Sequence, residues 1–150
     1  MKMGIAWVGY ASWCGVALAL SVCALIKPTL AQSRVQRPQT LDWQTSPLDL
    51  DLRGMNGERY EFLCPPGKPQ PSRVVGDGIY TDDSSICTAA VHAGVIYPKA
   101  GGRVAIEIRR GQQSYAGADR NYVESNSYAG PWSGSFVVIT PADATATHSH

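Results

Sequence analysis

Hydrophobic and polar residues alternate in several short segments of this 150-residue chain. A period of two is typical of β-strands that bury one face. The alternation begins in LDLDL at 48–52, and Asn56-Gly57 then predicts a hairpin turn before a return strand near 60–64. Three later segments also predict strands: VVGDGIY at 74–80, RVAIEIRR at 103–110 and SGSFVVIT at 133–140. The proline-rich stretch at 64–72 and the Gly-, Ser-, Asn- and Tyr-rich stretch at 111–132 predict loops, the latter with at most one short strand.

One segment has the pattern of a helix instead. Residues 82–85 (DDSS) supply N-capping side chains before an apolar run, and Gly94 supplies a stop, so we predict a helix from 84 to 93. At about 100° per residue, apolar side chains cover most of its circumference and leave Ser85, Thr88 and His92 as one narrow polar stripe. Such a helix is predicted to lie enclosed by the strands.

The same segment carries reactive groups, but their spacing does not favour catalysis. Cys87 and His92 lie about 140° apart around the helix axis, so they cannot face each other as thiolate and base. Ser85 is about 10 Å from His92 by helical rise, which exceeds hydrogen-bond reach. Zinc needs three or four ligands, and His148 and His150 lie in the C-terminal tail. We therefore predict no catalytic residue, no metal site and no cofactor, and we interpret His92 as a hydrogen-bonded structural residue.

The amino end has the pattern of an export signal. Residues 3–26 carry no charge, and Thr29-Leu30-Ala31 places small residues at the positions that signal peptidase requires. We predict a signal peptide at 1–31, cleaved after Ala31, and a secreted or periplasmic protein. An uncleaved membrane anchor is the alternative, because about 20 apolar residues can span a bilayer.

Composition divides the remainder into three parts. Residues 32–46 and 141–150 contain few large apolar side chains, so we predict a flexible linker and a disordered tail, respectively. A single folded domain is then expected over 47–140.

Charge limits the choice of ligands. Removing residues 1–31 takes away two lysines and no acid, which leaves 11 basic and 12 acidic residues. This balance lacks the excess of positive charge typical of nucleic-acid binding. Arginines near strand ends could still present forked donors to an anionic sugar or phosphate, although simple solvation is the alternative. The candidate ligand-binding residues are Arg103, Arg109, Arg110 and Arg120.

The cysteines predict one disulfide. Cys14 and Cys23 fall in the predicted signal peptide, so the exported chain keeps Cys64 and Cys87. Two cysteines in an oxidising compartment indicate a bridge. A nucleophilic thiol at Cys87 is the alternative, but reactive thiolates need a basic neighbour and none lies close in the sequence.

The segment YTDDSSICTAAVHAG at 80–94 resembles the hallmark of the LCCL domain family, Tyr-Asp-x-x-Ser-x-Ile-Cys-x-x-Ala-x-His-x-Gly. Thr81 departs from it, since the family usually has aspartate there. The likeness continues in FLCP at 62–65, GG at 101–102, SYAGADRN at 114–121, Trp132 and SF at 135–136. The matching motif positions are Tyr80, Ser84, Ile86, Cys87, Ala90, His92 and Gly94.

The resemblance implies an α+β fold in which antiparallel strands wrap around one central short helix. It also implies a stand-alone, secreted, non-enzymatic binding module whose partner is lipopolysaccharide, a glycan, another anionic surface ligand or an extracellular protein. Family members usually carry four cysteines in two bridges. Here Lys68 stands in place of one, so a Cys64–Cys87 bridge would differ from the animal pattern. Two alternatives stay open: a membrane-anchored structural or interaction protein of the cell envelope, and an enzyme that uses His92 with a distant acid.

Overall fold

The computed structural model describes residues 38–67 and 72–140. The predicted signal peptide, Lys68 and the predicted tail therefore lie outside the described residues. The elements, in chain order, are β1 (Gln39–Thr40), β2 (Arg59–Cys64), β3 (Gly76–Asp77), β4 (Ile79–Thr81), α1 (Ile86–His92), β5 (Gly102–Arg110), β6 (Ser114–Tyr115), β7 (Asp119–Arg120), β8 (Val123–Glu124), β9 (Tyr128–Ala129) and β10 (Gly134–Ile139).

Six of these strands form the main sheet, in the order β1-β2-β5-β10-β4-β3. Strand β5 lies inside the sheet and pairs antiparallel with both β2 and β10. Only the β1–β2 pairing among these six strands is parallel. The strands predicted near 60–64, 74–80, 103–110 and 133–140 are confirmed.

Helix α1 packs against one face of this sheet. Because side chains alternate across a strand, Val104, Ile106 and Ile108 of β5 all point to the helix side, where Phe136 of β10 joins them. All four are buried, and so is every residue of α1. Burial of each such side chain contributes about 1.5–3 kcal/mol. The predicted α+β fold with one enclosed helix is confirmed.

The ends of α1 follow from local side-chain and backbone bonds. Ser85 is the N-cap, and its Oγ accepts a hydrogen bond from the Thr88 amide at 3.1 Å. At the other end Gly94 has φ 75°, and the amides of Gly94 and Val95 donate to the carbonyls of Val91 and Ala90. This is a Schellman ending, which favours glycine at that position. The helix is thus slightly shorter than the predicted 84–93.

The strand predicted at 48–52 is wrong. The Asp49 carboxylate accepts hydrogen bonds from the Ser46 amide and hydroxyl, at 2.9 and 2.7 Å, and Asp51 has φ 56°. Both features turn the chain. The aspartate side chain competes with the hydrogen bonds of a β-ladder, and positive φ does not occur in a regular strand. The turn at 55–58 does form, but only Gly57 of the Asn56-Gly57 pair has positive φ. This turn connects β2 to a preceding loop and not to a preceding strand.

The linker predicted at 32–46 also needs correction where the structure describes it. Strand β1 pairs with β2, the Leu41 amide donates to the Leu63 carbonyl at 2.9 Å, and Leu41 and Trp43 lie in the core. Pairing with β2 and burial of Leu41 and Trp43 therefore hold this largely polar segment in the fold. The folded domain begins at least eight residues before the predicted boundary at 47, because β1 starts at Gln39.

The stretch at 111–132 contains more strand than predicted. Strand β6 pairs with β9, and β7 pairs with β8, each over two residue pairs. The β7–β8 pair contacts helix α1 through β8, and the β6–β9 pair contacts the main sheet through β6 and β4.

Candidate functional site

The polar groups of α1 face the protein interior. Ser85 Oγ donates to the Trp43 carbonyl at 2.8 Å, and Thr88 Oγ1 lies 2.6 Å from Ser72 Oγ. Ser84 Oγ accepts from the Val75 amide at 3.0 Å. These hydroxyls therefore form hydrogen bonds between the helix region and the surrounding loops, so they do not face a ligand.

His92 is completely buried. Its Nε2 lies 2.9 Å from the carbonyl oxygen of Ala118, and its Nδ1 lies 2.9 Å from the Tyr80 hydroxyl. A carbonyl can only accept, so Nε2 carries a proton and, in the neutral ring, Nδ1 accepts from Tyr80. Burial raises the pKa of Tyr80 to about 12, so this hydroxyl keeps its proton. Without solvent access or a carboxylate partner, His92 does not support the alternative of an enzyme that uses it.

Cys64 and Cys87 form a disulfide, as predicted, with a Cα–Cα distance of 5.6 Å. It links β2 to the first turn of α1. Both residues are buried. The alternative of a nucleophilic Cys87 thiol is therefore excluded in this structure.

The aspartates before the helix do not cap it, contrary to expectation. Asp82 is buried and receives two hydrogen bonds from Arg53, at 2.6 and 2.8 Å, and one from Trp132 Nε1 at 2.8 Å. Burial alone raises the pKa of the Asp82 carboxyl, but the hydrogen bonds from Arg53 and Trp132 outweigh it, and the pKa lies below its ordinary value of 3.8. Asp83 pairs with Arg73 at 2.7 Å. Both carboxylates therefore join loops to each other.

The four predicted arginines lie in different places. Arg103 pairs with Glu61 at 2.7 Å, and Arg120 pairs with Asp77 at 2.8 Å. Arg109 pairs with Glu107 at 2.7 Å, whereas Arg110 forms no salt bridge with any residue that the structure describes. Of the four, Arg109 and Arg110 line the same cleft.

This cleft lies at the end of β5, on an open surface of the sheet. Its volume is about 590 Å³, within the range of about 300–1,000 Å³ typical of ligand sites. We call it the arginine cleft, and its lining residues are Asn56, Gly57, Ile79, Glu107, Arg109, Arg110, Gln112 and Val137. The lining thus combines polar and charged side chains with two aliphatic ones, Ile79 and Val137.

Buried Glu107 organises the charge of the arginine cleft. One carboxylate oxygen accepts a hydrogen bond from Nε of Arg59 at 2.9 Å, and the other forms an ion pair with Nε of Arg109 at 2.7 Å. Because this contact occupies Nε, the two terminal amino groups of Arg109 keep donors for a ligand, and the side chain is 54% exposed. Arg59 and Arg109 together carry more positive charge than Glu107 neutralises, so this part of the cleft favours an anion.

The sequence indicated Arg109 and Arg110 but missed the rest of the cleft. Asn56 was interpreted only as a turn residue, and Gln112 was assigned to a loop. Glu107 followed the strand alternation, and nothing nearby in the sequence indicated its partner Arg59, which is 48 residues away.

Two further properties concern the described residues as a whole. No three His, Cys, Asp or Glu side chains within 38–67 and 72–140 come together as metal ligands would. Helix α1, in the same ranges, is too short to cross a membrane. The predicted anchor alternative concerns residues outside these ranges.

The fold and its contacts define a class: a small disulfide-linked α+β domain with one fully enclosed helix and an open basic cleft on its sheet. The LCCL domain family profile matches residues 41–136. The chain belongs to the LCCL domain family.

Individual relatives agree with this assignment. Human cochlin is 35% identical over 144 residues, which cover 95% of this chain and 24% of cochlin. Bovine vitrin is 38% identical over 94 residues, 61% of this chain and 14% of vitrin. Human cysteine-rich secretory protein LCCL domain-containing 2 is 44% identical over 70 residues, 45% of this chain and 14% of that protein. The chain thus spans about a quarter or less of the length of these relatives.

Proposed function

We propose that this LCCL domain is a secreted or periplasmic, non-enzymatic binding module that holds an anionic group of lipopolysaccharide or of a surface glycan in the arginine cleft. The observation that carries this proposal is the guanidinium of Arg109, oriented by buried Glu107 and lining the same cleft as Arg110. An oriented guanidinium loses less conformational freedom when it binds a planar or tetrahedral anion.

The shape of the arginine cleft suits a group that is partly apolar. Ile79 and Val137 supply aliphatic surface, while Asn56 and Gln112 add amide groups at the rim. A phosphorylated or carboxylated sugar has both kinds of surface. The open form of the cleft fits one end of a larger molecule attached to a cell surface.

Two observations support export. A buried disulfide is typical of proteins that fold in oxidising compartments. One relative carries the word "secretory" in its name. The predicted cleavage after Ala31 is the remaining part of this proposal, and amino-terminal sequencing of the exported protein checks it.

The test uses purified full chain against immobilised lipopolysaccharide, phosphorylated and carboxylated glycans, and their neutral counterparts. The double variant R109Q/R110Q should weaken binding of the anionic ligands about 10-fold or more, because charged hydrogen bonds contribute about 1.5–3 kcal/mol each. Added salt should weaken wild-type binding.

The matched control is R103Q/R120Q, which makes the same change in net charge at two exposed, ion-paired arginines outside the cleft. This control should keep at least half of the wild-type affinity. Equal losses in the two double variants would show that binding depends on overall charge and not on the cleft. Absence of binding to every anionic ligand would contradict the proposal.

A further inference from the structure

The arginine cleft contains one row of side chains that crosses four adjacent strands. Cross-strand pairing places Glu107 directly beside Arg59 on one side and Val137 on the other, and Val137 beside Ile79. Directly paired residues of antiparallel strands project from the same face of a sheet. Adjacent strands lie about 4.8 Å apart, so the row changes from charged to aliphatic surface within roughly 10 Å.

The charges around this row leave an excess of two positive charges. Glu107 is shared by Arg59 and Arg109, so one carboxylate faces two guanidinium groups. Arg110 also lines the cleft, and it forms no salt bridge with a residue at 38–67 or 72–140. Glu58, which is next to Arg59 in the sequence, does not line the cleft. A bound anion with two negative charges would therefore neutralise the site.

The available donors also match a tetrahedral anion. Nε of Arg109 is directed at Glu107, so the two terminal amino groups of Arg109 remain for a ligand, and Arg110 adds a second exposed guanidinium. Gln112 adds an exposed amide to the lining. A carboxylate offers two oxygens in one plane and one charge, whereas a phosphate monoester offers three terminal oxygens and a charge of about −1.5 to −2 at pH 7. The phosphate uses more of these donors.

We infer that the arginine cleft recognises a phosphate monoester, held by Arg109 and Arg110, whose organic part lies along Val137 and Ile79. This inference rests on the proposed function and narrows its ligand from anions in general to dianions. A carboxylate, a sulfate ester or a phosphate diester carries a single charge and leaves part of the positive charge of the cleft without a partner.

The experiment measures binding of the purified full chain to glucose 6-phosphate, glucose 6-sulfate and glucuronate by isothermal titration calorimetry. The sulfate ester has the same tetrahedral shape as the phosphate ester but one charge fewer, so their comparison isolates the effect of the second charge. At pH 7.5 we expect glucose 6-phosphate to bind about fivefold or more tightly than either monoanion.

The preference should depend on pH through the ligand itself. The second proton of a phosphate ester has a pKa of about 6, so glucose 6-phosphate becomes a monoanion as the pH falls to 5. Its advantage over glucose 6-sulfate should then largely disappear. The protein groups that face the bound phosphate are Arg59, Glu107, Arg109 and Arg110, and any effect of pH on them alters the binding of both esters.

Arg110→Gln removes one positive charge from the arginine cleft, so it should reduce the preference for phosphate over sulfate to about twofold or less. Arg103→Gln is the matched control. Arg103 lies on the same strand, pairs with Glu61 and does not line the cleft, so this variant should leave the preference unchanged. A preference that R110Q and R103Q reduce equally would overturn the inference.

The outcomes also separate this inference from the proposed function. Sulfate or carboxylate binding as tight as phosphate binding would overturn the inference and leave the proposed anion binding intact. Binding to immobilised lipopolysaccharide or glycans without binding to glucose 6-phosphate would overturn it as well. Absence of binding to every anion would contradict both.

A lipid headgroup can present the same phosphate monoester as a sugar. Vesicles of phosphatidylcholine with and without phosphatidic acid test this source. Binding that requires phosphatidic acid and is weakened by R110Q would support the monoester and assign it to a lipid. Binding to glucose 6-phosphate without binding to these vesicles would support it and assign it to a sugar.

Discussion

The Tyr80 hydroxyl lies 2.9 Å from Nδ1 of His92, and both side chains are fully buried where β4 meets α1. The two rings also contact edge to face, with centroids 5.6 Å apart. These two positions of the family motif therefore act as one structural unit that joins the helix to the sheet. The hydrogen bond from His92 to the Ala118 carbonyl extends the unit to the loop before β7.

Tyr80→Phe should lower the free energy of unfolding by about 1–3 kcal/mol, because it leaves Nδ1 of His92 buried without a donor. Urea denaturation measures this change. Tyr97→Phe removes a hydroxyl from an exposed ring and serves as the control, with no expected effect. Equal stability of Tyr80→Phe and wild type would show that the Tyr80–His92 bond contributes nothing.

Asp82→Asn should lower the free energy of unfolding at pH 7 by about 2–3 kcal/mol. A fully buried ion pair loses about 3–5 kcal/mol when one partner is removed, and the 38% exposure of the Arg53 side chain reduces that figure. Asp51→Asn is the control, since this exposed position has a positive φ that asparagine also tolerates.

The effect of Asp82 should also depend on pH. The folded-state pKa of Asp82 is below its ordinary value of 3.8, so its ionised form is favoured by folding. Its contribution is fully present above that value and is lost as the pH falls through the lower folded-state pKa. Urea denaturation of wild type and Asp82→Asn at several pH values should show a constant difference above pH 4 that narrows at lower pH. A difference that widens in acid would contradict this assignment.

Removal of the Cys64–Cys87 bridge should destabilise the domain by about 3 kcal/mol, since it closes a loop of 23 residues in sequence. The double variant C64A/C87A and denaturant titration measure this value. Alkylation of the unreduced, unfolded protein followed by peptide mapping should find neither residue as a free thiol. Recovery of both thiols would contradict the bridge.

Gly94→Ala should destabilise the domain more than Gly78→Ala. The two glycines have similar φ, 75° and 77°, so the backbone strain of about 1–2 kcal/mol is common to both. A Cβ at Gly94 would lie 3.1 Å from Asn121 Nδ2, whereas one at Gly78 meets nothing within 4 Å. The extra loss in Gly94→Ala, measured by urea denaturation, reports the displaced hydrogen bond that Asn121 Nδ2 donates to the His92 carbonyl oxygen at 2.9 Å. Equal losses would show that Asn121 moves without cost.

Elements that depend on residues close in sequence could be predicted, whereas a segment turned by a side-chain hydrogen bond could not. The period of two in RVAIEIRR predicted β5, whose central position buries Val104 and Ile106. The same period in LDLDL was misleading, because the Asp49 carboxylate bonds Ser46 and turns the segment. Periodicity shows which positions are apolar, but it does not show which hydrogen-bond donor a carboxylate will contact.

The candidate sites show the same division. Position near a strand end was enough to indicate Arg109 and Arg110 along with Arg103 and Arg120, but it did not show which of the four would line one cleft. Their acidic partners, Glu61 for Arg103 and Asp77 for Arg120, lie 42 and 43 residues away in sequence.

By itself, the sequence determined the helix with its Ser85 cap and Gly94 stop, most of the main strands and the cysteine pair, because each depends on side-chain spacing over a few residues or on the cysteine count. Only the tertiary structure decided which charged groups neutralise one another, since Coulomb and hydrogen-bond energies depend on distance in space. In the folded protein, Asp82 accepts hydrogen bonds from Arg53 and Trp132, and His92 is buried. Arg109, Arg110, Tyr97 and Tyr122 lie at the surface.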